Sequence, residues 1–309
     1  MRIQTRSNLL AVFIMILTVN SSLQAGDLYF SIGGNSISKV TSGGVVEVFS
    51  SPWPGFSAFG LASDSSGNIY IADLMNKRVN KLTPSGILSR FADVPDASRS
   101  LAFDPSGVLY EVGFGRPPTT ISKITSEGVV SSYGTVGGFG NFTGIAFDAT
   151  GNMYLAASSL IGPSAIVKVT KNKKYSVFAW GDYLVQGLVF DSSGNLYASN
   201  QKDDTGLDCS ILKITPTGSV STFASGFKLA ADLAIDNDNN VYVACSDSIQ
   251  KVTPSGQASV FSTHGAFGLT YVVPEPSTYI LAMIVTGFIA YLVCNRSGSP
   301  IYTGTRVGH

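Results

Sequence analysis

The sequence predicts an all-β fold, a six-bladed β-propeller with four strands in each blade. An Asp-x-x-Gly turn between two short apolar runs recurs at intervals of 40 to 45 residues, with its aspartates at Asp64, Asp104, Asp148, Asp191 and Asp236. A lysine-containing strand occurs six times, and the chain of 309 residues contains 33 glycines, as expected for many tight turns. A repeat of about 40 to 45 residues with four strands is typical of a propeller blade.

The first two strands of each repeat flank the Asp-x-x-Gly turn. In the second repeat they cover residues 59–63 and 69–73, and the second of them contains Tyr70. The aspartate side chain can accept hydrogen bonds from N–H groups two or three residues further on, while glycine adopts the left-handed conformation. Asn239 replaces this glycine in the last copy, and asparagine tolerates that conformation best among the other residues.

The third strand of each repeat carries the lysine, and the fourth ends in an aromatic residue such as Phe91. A short turn, often Pro-x-Gly, joins the two strands. The lysines are Lys39, Lys81, Lys123, Lys168, Lys213 and Lys251. Because their neighbours are apolar, we expect their aliphatic stems to pack between blades and their ammonium groups to reach the surface.

The two ends of the repeat region are predicted to share one blade. The first repeat lacks a copy of the inner strand, whereas residues 266–271, after the sixth repeat, resemble residues 58–62. The C-terminal strand is therefore expected to complete the first blade and close the ring, which removes an exposed sheet edge.

The chain ends are predicted to be targeting segments around a propeller domain at 26–273. Residues 1–25 combine Arg2 and Arg6 with an apolar run, as in a secretory signal peptide. Residues 279–294 are apolar enough for a transmembrane helix, which needs roughly 17 to 25 residues, and a short tail follows at 295–309. The formal net charge is zero and no basic stripe is present, which argues against nucleic-acid binding.

These repeats resemble NHL repeats, which share the Asp-x-x-Gly-Asn turn, the tyrosine-containing strand and the later lysine-containing strand. The resemblance covers 26–273 and implies a six-bladed propeller. The segment 274–278, with Pro274, Glu275 and Pro276 ahead of the apolar segment and Arg296, resembles a PEP-CTERM sorting signal. That resemblance implies a bacterial envelope location and an exosortase as the processing partner. A plain C-terminal anchor with a proline-rich linker is the alternative.

The first candidate metal site is at the mouth of the propeller channel. Asp73 and Asn200 end the second strands of blades two and five, opposite one another in a six-bladed ring. They can contribute oxygens to a cation such as Ca²⁺, as in the gluconolactonase-like propellers, which use a glutamate, an asparagine and an aspartate. Glu111 is the glutamate nearest to an inner position, and we place it one residue before the position that Asp73 holds.

Two further candidates lie on loops. Asp203, Asp204 and Asp208 place three carboxylates in one loop, which is either a Ca²⁺ site or a solvated acidic loop. His264 is the only histidine of the propeller region and precedes the closing strand. The repeats also resemble virginiamycin-lyase-like propellers, which need a histidine and a glutamate close together. This resemblance makes His264 and Glu111 catalytic candidates.

The two cysteines of the propeller lie in adjacent repeats. Cys209 and Cys245 can form a disulfide if the chain is exported to an oxidising compartment, and two buried free thiols are the alternative.

The expected function is that of an exported, envelope-associated, non-catalytic binding or interaction module. The expected partners are another envelope protein or the exopolysaccharide that the resemblance to the sorting signal implies. The alternative is a metal-dependent lactonase- or lyase-like enzyme with its site at the channel mouth. No other cofactor is expected.

Overall fold

The computed structural model describes residues 26–272, except positions 33–35, 42–43, 51–54, 116–117, 159–162, 183 and 204. The predicted signal peptide, sorting motif, membrane segment and tail lie outside these residues, so they stay predictions. Within the described part of the chain, no helix is both long and apolar enough to cross a membrane.

The described residues form six antiparallel sheets of four strands, and each sheet is one blade. Blade one contains β1 (Asp27–Ser31), β2 (Ile37–Val40) and β3 (Val46–Ser50). Blade two contains β4 (Ala58–Ser63), β5 (Ile69–Asp73), β6 (Arg78–Leu82) and β7 (Leu88–Asp93). Blade three contains β8 (Ala97–Phe103), β9 (Leu109–Phe114), β10 (Thr119–Ile124) and β11 (Val130–Val136).

Blade four contains β12 (Asn141–Phe147), β13 (Met153–Ser158), β14 (Ala165–Val169) and β15 (Tyr175–Trp180). Blade five contains β16 (Leu184–Phe190), β17 (Leu196–Gln201), β18 (Cys209–Ile214) and β19 (Val220–Phe227). Blade six contains β20 (Asp232–Ile235), β21 (Val241–Ala244), β22 (Ile249–Val252) and β23 (Ala258–Ser262). The last strand is β24 (Gly268–Val272).

The ring closes as the sequence predicts. Strand β24 pairs with β1, with Tyr271 opposite Leu28, and becomes the inner strand of blade one. The six inner strands contact one another in a closed circle around the channel. The predicted six-bladed propeller with a shared first blade is thus confirmed for the described residues.

The Asp-x-x-Gly turn joins the inner strand to the tyrosine of the second strand. Asp64 Oδ1 accepts hydrogen bonds from the backbone N of Ser66 at 3.0 Å and of Asn68 at 2.8 Å, and its Oδ2 accepts one from Tyr70 Oη at 3.1 Å. Gly67 has a φ of +77°, and Asn239 holds the equivalent position with a φ of +60°. The repeated aspartate therefore fixes both the conformation of the turn and the position of the tyrosine side chain that follows it.

Each repeated tyrosine is a centre of packing between blades. The ring of Tyr70 makes edge-on contacts with Phe91 of its own blade and Phe103 of the next, with centroids 4.9 and 5.2 Å apart. Lys81 Nζ lies 5.4 Å from the centroid of Tyr70. The ammonium groups of Lys168, Lys213 and Lys251 lie over the equivalent tyrosines in the same way. A cation–π contact of this kind contributes on the order of 0.5 to 1 kcal/mol.

Glycines let neighbouring inner strands approach one another closely. A Cβ atom on Gly60 would collide with the carbonyl oxygen of Arg99, and one on Gly144 with that of Gln186. A Cβ on Gly268 would collide with the carbonyl oxygen of Phe59. The residues before these glycines, Phe59, Thr143 and Phe267, lie at or near the start of their inner strands. We call this end of the channel the upper mouth.

Candidate functional site

Asp73 has a structural role. Its carboxylate is fully buried and accepts hydrogen bonds from Asn76 Nδ2 at 2.9 and 3.0 Å and from Ser57 N at 3.2 Å. Arg78 Nε donates to the same carboxylate at 3.0 Å and neutralises its charge. The charge and the oxygens of Asp73 are thus engaged by Arg78 and by residues of the adjoining loops, and its role as a metal ligand stays a prediction.

Asn200 has the same structural role in blade five. Its Oδ1 accepts a hydrogen bond from Asp182 N at 2.8 Å, and its Nδ2 donates to Asp182 Oδ2 at 2.7 Å and to Ser210 Oγ at 3.2 Å. In both blades the polar side chain at the end of the second strand thus ties down the loop that leads into the inner strand.

Glu111 lies one residue further from the mouth than the repeat pattern of the sequence predicted. Its strand pairing matches it with Ser122, and the tyrosine register makes it equivalent to Ile71, two residues before the position of Asp73. It lies on the same face of β9 as Leu109, which packs in the core between blades two and three. Glu111 therefore points between two blades.

The acidic loop and His264 do not converge with these residues. Asp203 Oδ1 accepts hydrogen bonds from the backbone N atoms of Thr205 and Gly206, and Asp208 forms an exposed ion pair with Lys202 at 3.0 Å, while Asp204 lies outside the described residues. His264 is exposed, and its Nδ1 lies 3.3 Å from Ser262 Oγ. Across the described residues, no three His, Cys, Asp or Glu side chains come together around one point.

The two cysteines are buried free thiols in the core between blades five and six. Burial raises the pKa of Cys245 to about 12, and burial also raises that of Cys209. Neither side chain is a reactive thiolate at neutral pH.

A polar bridge crosses the channel at the upper mouth. Arg99 of β8 donates a hydrogen bond from Nη2 to Oε1 of Gln186 of β16, with 2.8 Å between the two atoms. These residues belong to blades three and five, so the pair passes in front of blade four. Arg99 Cζ also lies 5.9 Å from the ring centroid of Phe59 and 5.2 Å from that of Phe114.

Aromatic and acidic groups complete the upper mouth. Phe267, which is 44% exposed, lies against Phe59 with their ring centroids 6.2 Å apart. Asp232 accepts hydrogen bonds from Leu233 N at 2.8 Å and Leu269 N at 3.0 Å. Burial raises the pKa of Asp232 to about 7, although its two backbone donors and the charge of Arg99 act in the opposite direction.

The inner strands also line a cavity of about 310 Å³, which six equivalent apolar residues border: Leu61, Leu101, Ile145, Leu188, Leu233 and Leu269. Arg99, Gln186 and Phe267 are not among the residues that line it. The upper mouth itself combines a cation with aromatic rings, and a few polar groups that orient a ligand beside apolar surface are typical of a ligand site.

This mouth was not predicted, although the repeats contain a signal for it. The residues two positions before the repeated leucine or isoleucine differ in almost every blade, whereas the next residue is glycine in four of the six. These variable residues are Phe59, Arg99, Thr143, Gln186, Ala231 and Phe267. A position that varies within an otherwise regular repeat is free of a shared packing role, and this one lies at the channel.

No protein-family model matches the chain, and no curated protein matches it. Solved propellers match in structure. A chain of the nidogen/laminin complex has a TM-score of 0.69 and 16% identity, and the match covers 81% of this chain and 99% of that one. A gluconolactonase from Xanthomonas campestris has a TM-score of 0.59 and 14% identity, over 69% and 79% of the two chains.

A virginiamycin B lyase from Staphylococcus aureus is also similar, with a TM-score of 0.55 and 14% identity over 81% of this chain and 92% of that one. At such identities the likeness shows the fold alone. The chain therefore has the six-bladed propeller fold found in lactonase-like and lyase-like enzymes and in a propeller from a laminin complex.

Proposed function

We propose that this chain is an exported, non-catalytic binding module of the bacterial envelope, and that it holds its ligand at the upper mouth of the propeller channel. The main observation that supports this proposal is the hydrogen bond between Arg99 and Gln186, which belong to non-adjacent blades. The exposed ring of Phe267 lies at the same mouth. Export and envelope location rest on the resemblance of residues 274–278 to a sorting signal.

The ligand class follows from the chemistry of the mouth and from the sorting signal together. Arginine presents a planar set of N–H donors that fits a carboxylate, often with two hydrogen bonds. Bacteria with this sorting system commonly make exopolysaccharides, and an acidic exopolysaccharide carries carboxylates on its sugars. We therefore propose an acidic polysaccharide as the partner, in preference to an envelope protein.

Co-sedimentation tests this proposal. The full chain, purified in detergent, is mixed with the acidic polysaccharide of the source envelope and with the same polymer after chemical reduction of its carboxyl groups. We expect the chain to sediment with the first polymer and to stay in solution with the second. Equal binding to both polymers, or to neither, would contradict the proposal.

One observation favours an enzyme as the second candidate. Asp232 has a pKa near 7 beside a guanidinium at the mouth, and a carboxylate of that pKa can act as a general base at neutral pH. The lactonase-like and lyase-like neighbours make lactones and cyclic esters the substrates to try. Turnover by the full chain that is lost in Asp232→Asn but kept in the exposed control Asp208→Asn would support the enzyme over the binding module.

A further inference from the structure

Blade three differs from the other blades on the sheet face that meets blade two. Ser98, Glu111 and Ser122 occupy neighbouring positions on its three inner strands. The equivalent residues of blade five are all apolar: Val185, Ala198 and Leu212. Ser98 and Glu111 thus replace residues that are apolar in the other five blades. The position of Ser122 is also polar in blades one, two and six, where it is Ser38, Asn80 and Gln250.

These three side chains are buried without partners. Ser98 and Glu111 are 0% exposed and Ser122 is 1% exposed. Both carboxylate oxygens of Glu111 and both serine hydroxyls lack a hydrogen bond in the described part of the chain, which contains only two other buried side-chain atoms of this kind. Buried polar groups in folded proteins are nearly always satisfied, and an exception calls for a bound water or ion.

A second carboxylate reaches into the same region. Gly113 follows Glu111 on the same face of β9, and a Cβ placed on it would lie 3.2 Å from Asp96 Oδ2 and 3.4 Å from the carbonyl oxygen of Thr120. Asp96 and the carbonyl oxygen of Thr120 thus border the space that a side chain at position 113 would fill, next to Glu111 on the same face of the strand.

We propose that blade three holds a Ca²⁺ ion among Asp96, Ser98, Glu111, Ser122 and the carbonyl oxygen of Thr120. Every donor is an oxygen, and two of the five groups are carboxylates, which together balance the charge of a divalent cation. Ca²⁺ accepts six to eight oxygens in irregular geometry, whereas Mg²⁺ requires a near-ideal octahedron and keeps several waters. Zinc and copper sites draw on histidine or cysteine, which this set lacks.

This site differs from the predicted cation site at the channel mouth, with which it shares only Glu111. It uses residues of one blade and of the loop that leads into it, and it does not depend on the proposed binding function. Its position is nevertheless informative, because Ser98 precedes Arg99 and Gly113 precedes Phe114. The ion would therefore brace the two strands that carry the cationic part of the upper mouth.

Calcium titration of the full chain tests the proposal. The protein, stripped with EDTA, is titrated with Ca²⁺ alone by calorimetry, and its Tm is measured across the same concentrations. We expect one ion per chain and a Tm that rises with the logarithm of the Ca²⁺ concentration once the site is saturated. An unchanged Tm and no heat of binding would overturn the proposal, and so would an equal response to Mg²⁺.

Variants locate the ion. Glu111→Gln keeps the shape of the side chain and removes its charge, so we expect it to fold and to lose the Ca²⁺ response. Glu127→Gln, on an exposed turn, is the matched control and should keep it. Should Glu111→Gln fail to fold, Ser122→Ala provides the second test, because it removes one donor and should weaken Ca²⁺ binding at least several-fold. A full response in either variant would place the ion elsewhere and contradict the assignment.

Discussion

Arg99 and Gln186 form a hydrogen bond of 2.8 Å between Nη2 and Oε1 across the upper mouth, from blade three to blade five. The bridge skips blade four, so it links parts of the ring that share no strand pairing. Charge-assisted hydrogen bonds are stronger than neutral ones, and this one orients a guanidinium toward the channel. The pair is therefore both a brace of the ring and the main polar feature of the proposed binding site.

The contribution of this hydrogen bond to stability can be measured by replacing Gln186, its uncharged partner. In Gln186→Ala, Arg99 loses its only hydrogen-bonded side-chain partner among the described residues, and we expect a loss of about 1 kcal/mol in the free energy of unfolding. Urea denaturation of the full chain provides the measurement, and Gln257→Ala, on an exposed turn, is the control. A Gln186→Ala chain as stable as the wild type would contradict a stabilising role for this hydrogen bond.

Asp148 is predicted to stabilise its blade in its ionised form. Burial acts to raise the pKa of Asp148, but hydrogen bonds from Asn152, Thr150 and Tyr154 outweigh that effect and hold it below the ordinary value. The stabilisation is therefore present above the unfolded-state pKa of about 4 and is lost as the pH falls through the lower folded-state pKa. Asp148→Asn should be less stable at pH 7 and should lose less stability on acidification, as measured by Tm from pH 7 to pH 3.

For Glu111 we predict the opposite pH dependence of stability in calcium-free protein. Because burial raises its pKa to about 8 in the folded state, its contribution is fully present below about pH 4 and is lost as the pH rises through about 8. The loss is on the order of 4 kcal/mol for a shift of this size. In EDTA, wild-type protein should thus lose stability between pH 5 and pH 8 while Glu111→Gln loses much less. Parallel curves for the two proteins would argue against a buried, ionising Glu111.

The sorting signal predicts a specific processing event. Replacing Pro274, Glu275 and Pro276 by alanine in the source bacterium should leave the chain at its unprocessed mass in the membrane fraction, whereas the wild type is shortened near this motif. Pro300→Ala, in the tail, is the matched control and should be processed normally. Wild-type chain that keeps the mass of the unprocessed tail would favour the plain anchor.

The fold could be predicted because its signals are local and repeated. The hydrogen bonds of Asp64 reach residues only two to six positions away, so the sequence spacing contains the turn in full. Closure of the ring could also be predicted, since residues 266–271 repeat a pattern that the first blade lacks. The signals at both chain ends are equally local, but they lie outside the described residues.

The site could not be predicted in the same way, because its contacts are distant in sequence. Arg99 and Gln186 are 87 positions apart, and nothing in either repeat indicates that both side chains enter the channel. The candidates chosen at strand ends, Asp73 and Asn200, had a plausible position but proved to be bonded to the loops beside them. Glu111 was noticed for its type, whereas its environment depends on the pairing of three strands.

The dissociation constant of an acidic oligosaccharide tests the central claim most directly. The full chain is compared with Arg99→Gln and with the control Arg90→Gln, which alters an exposed arginine on the outer strand of blade two. Loss of a charge-assisted contact of about 1.5 to 3 kcal/mol should weaken binding roughly 10- to 100-fold in Arg99→Gln and leave the control unchanged. Equal affinity of Arg99→Gln and the wild type would contradict a binding site at the upper mouth.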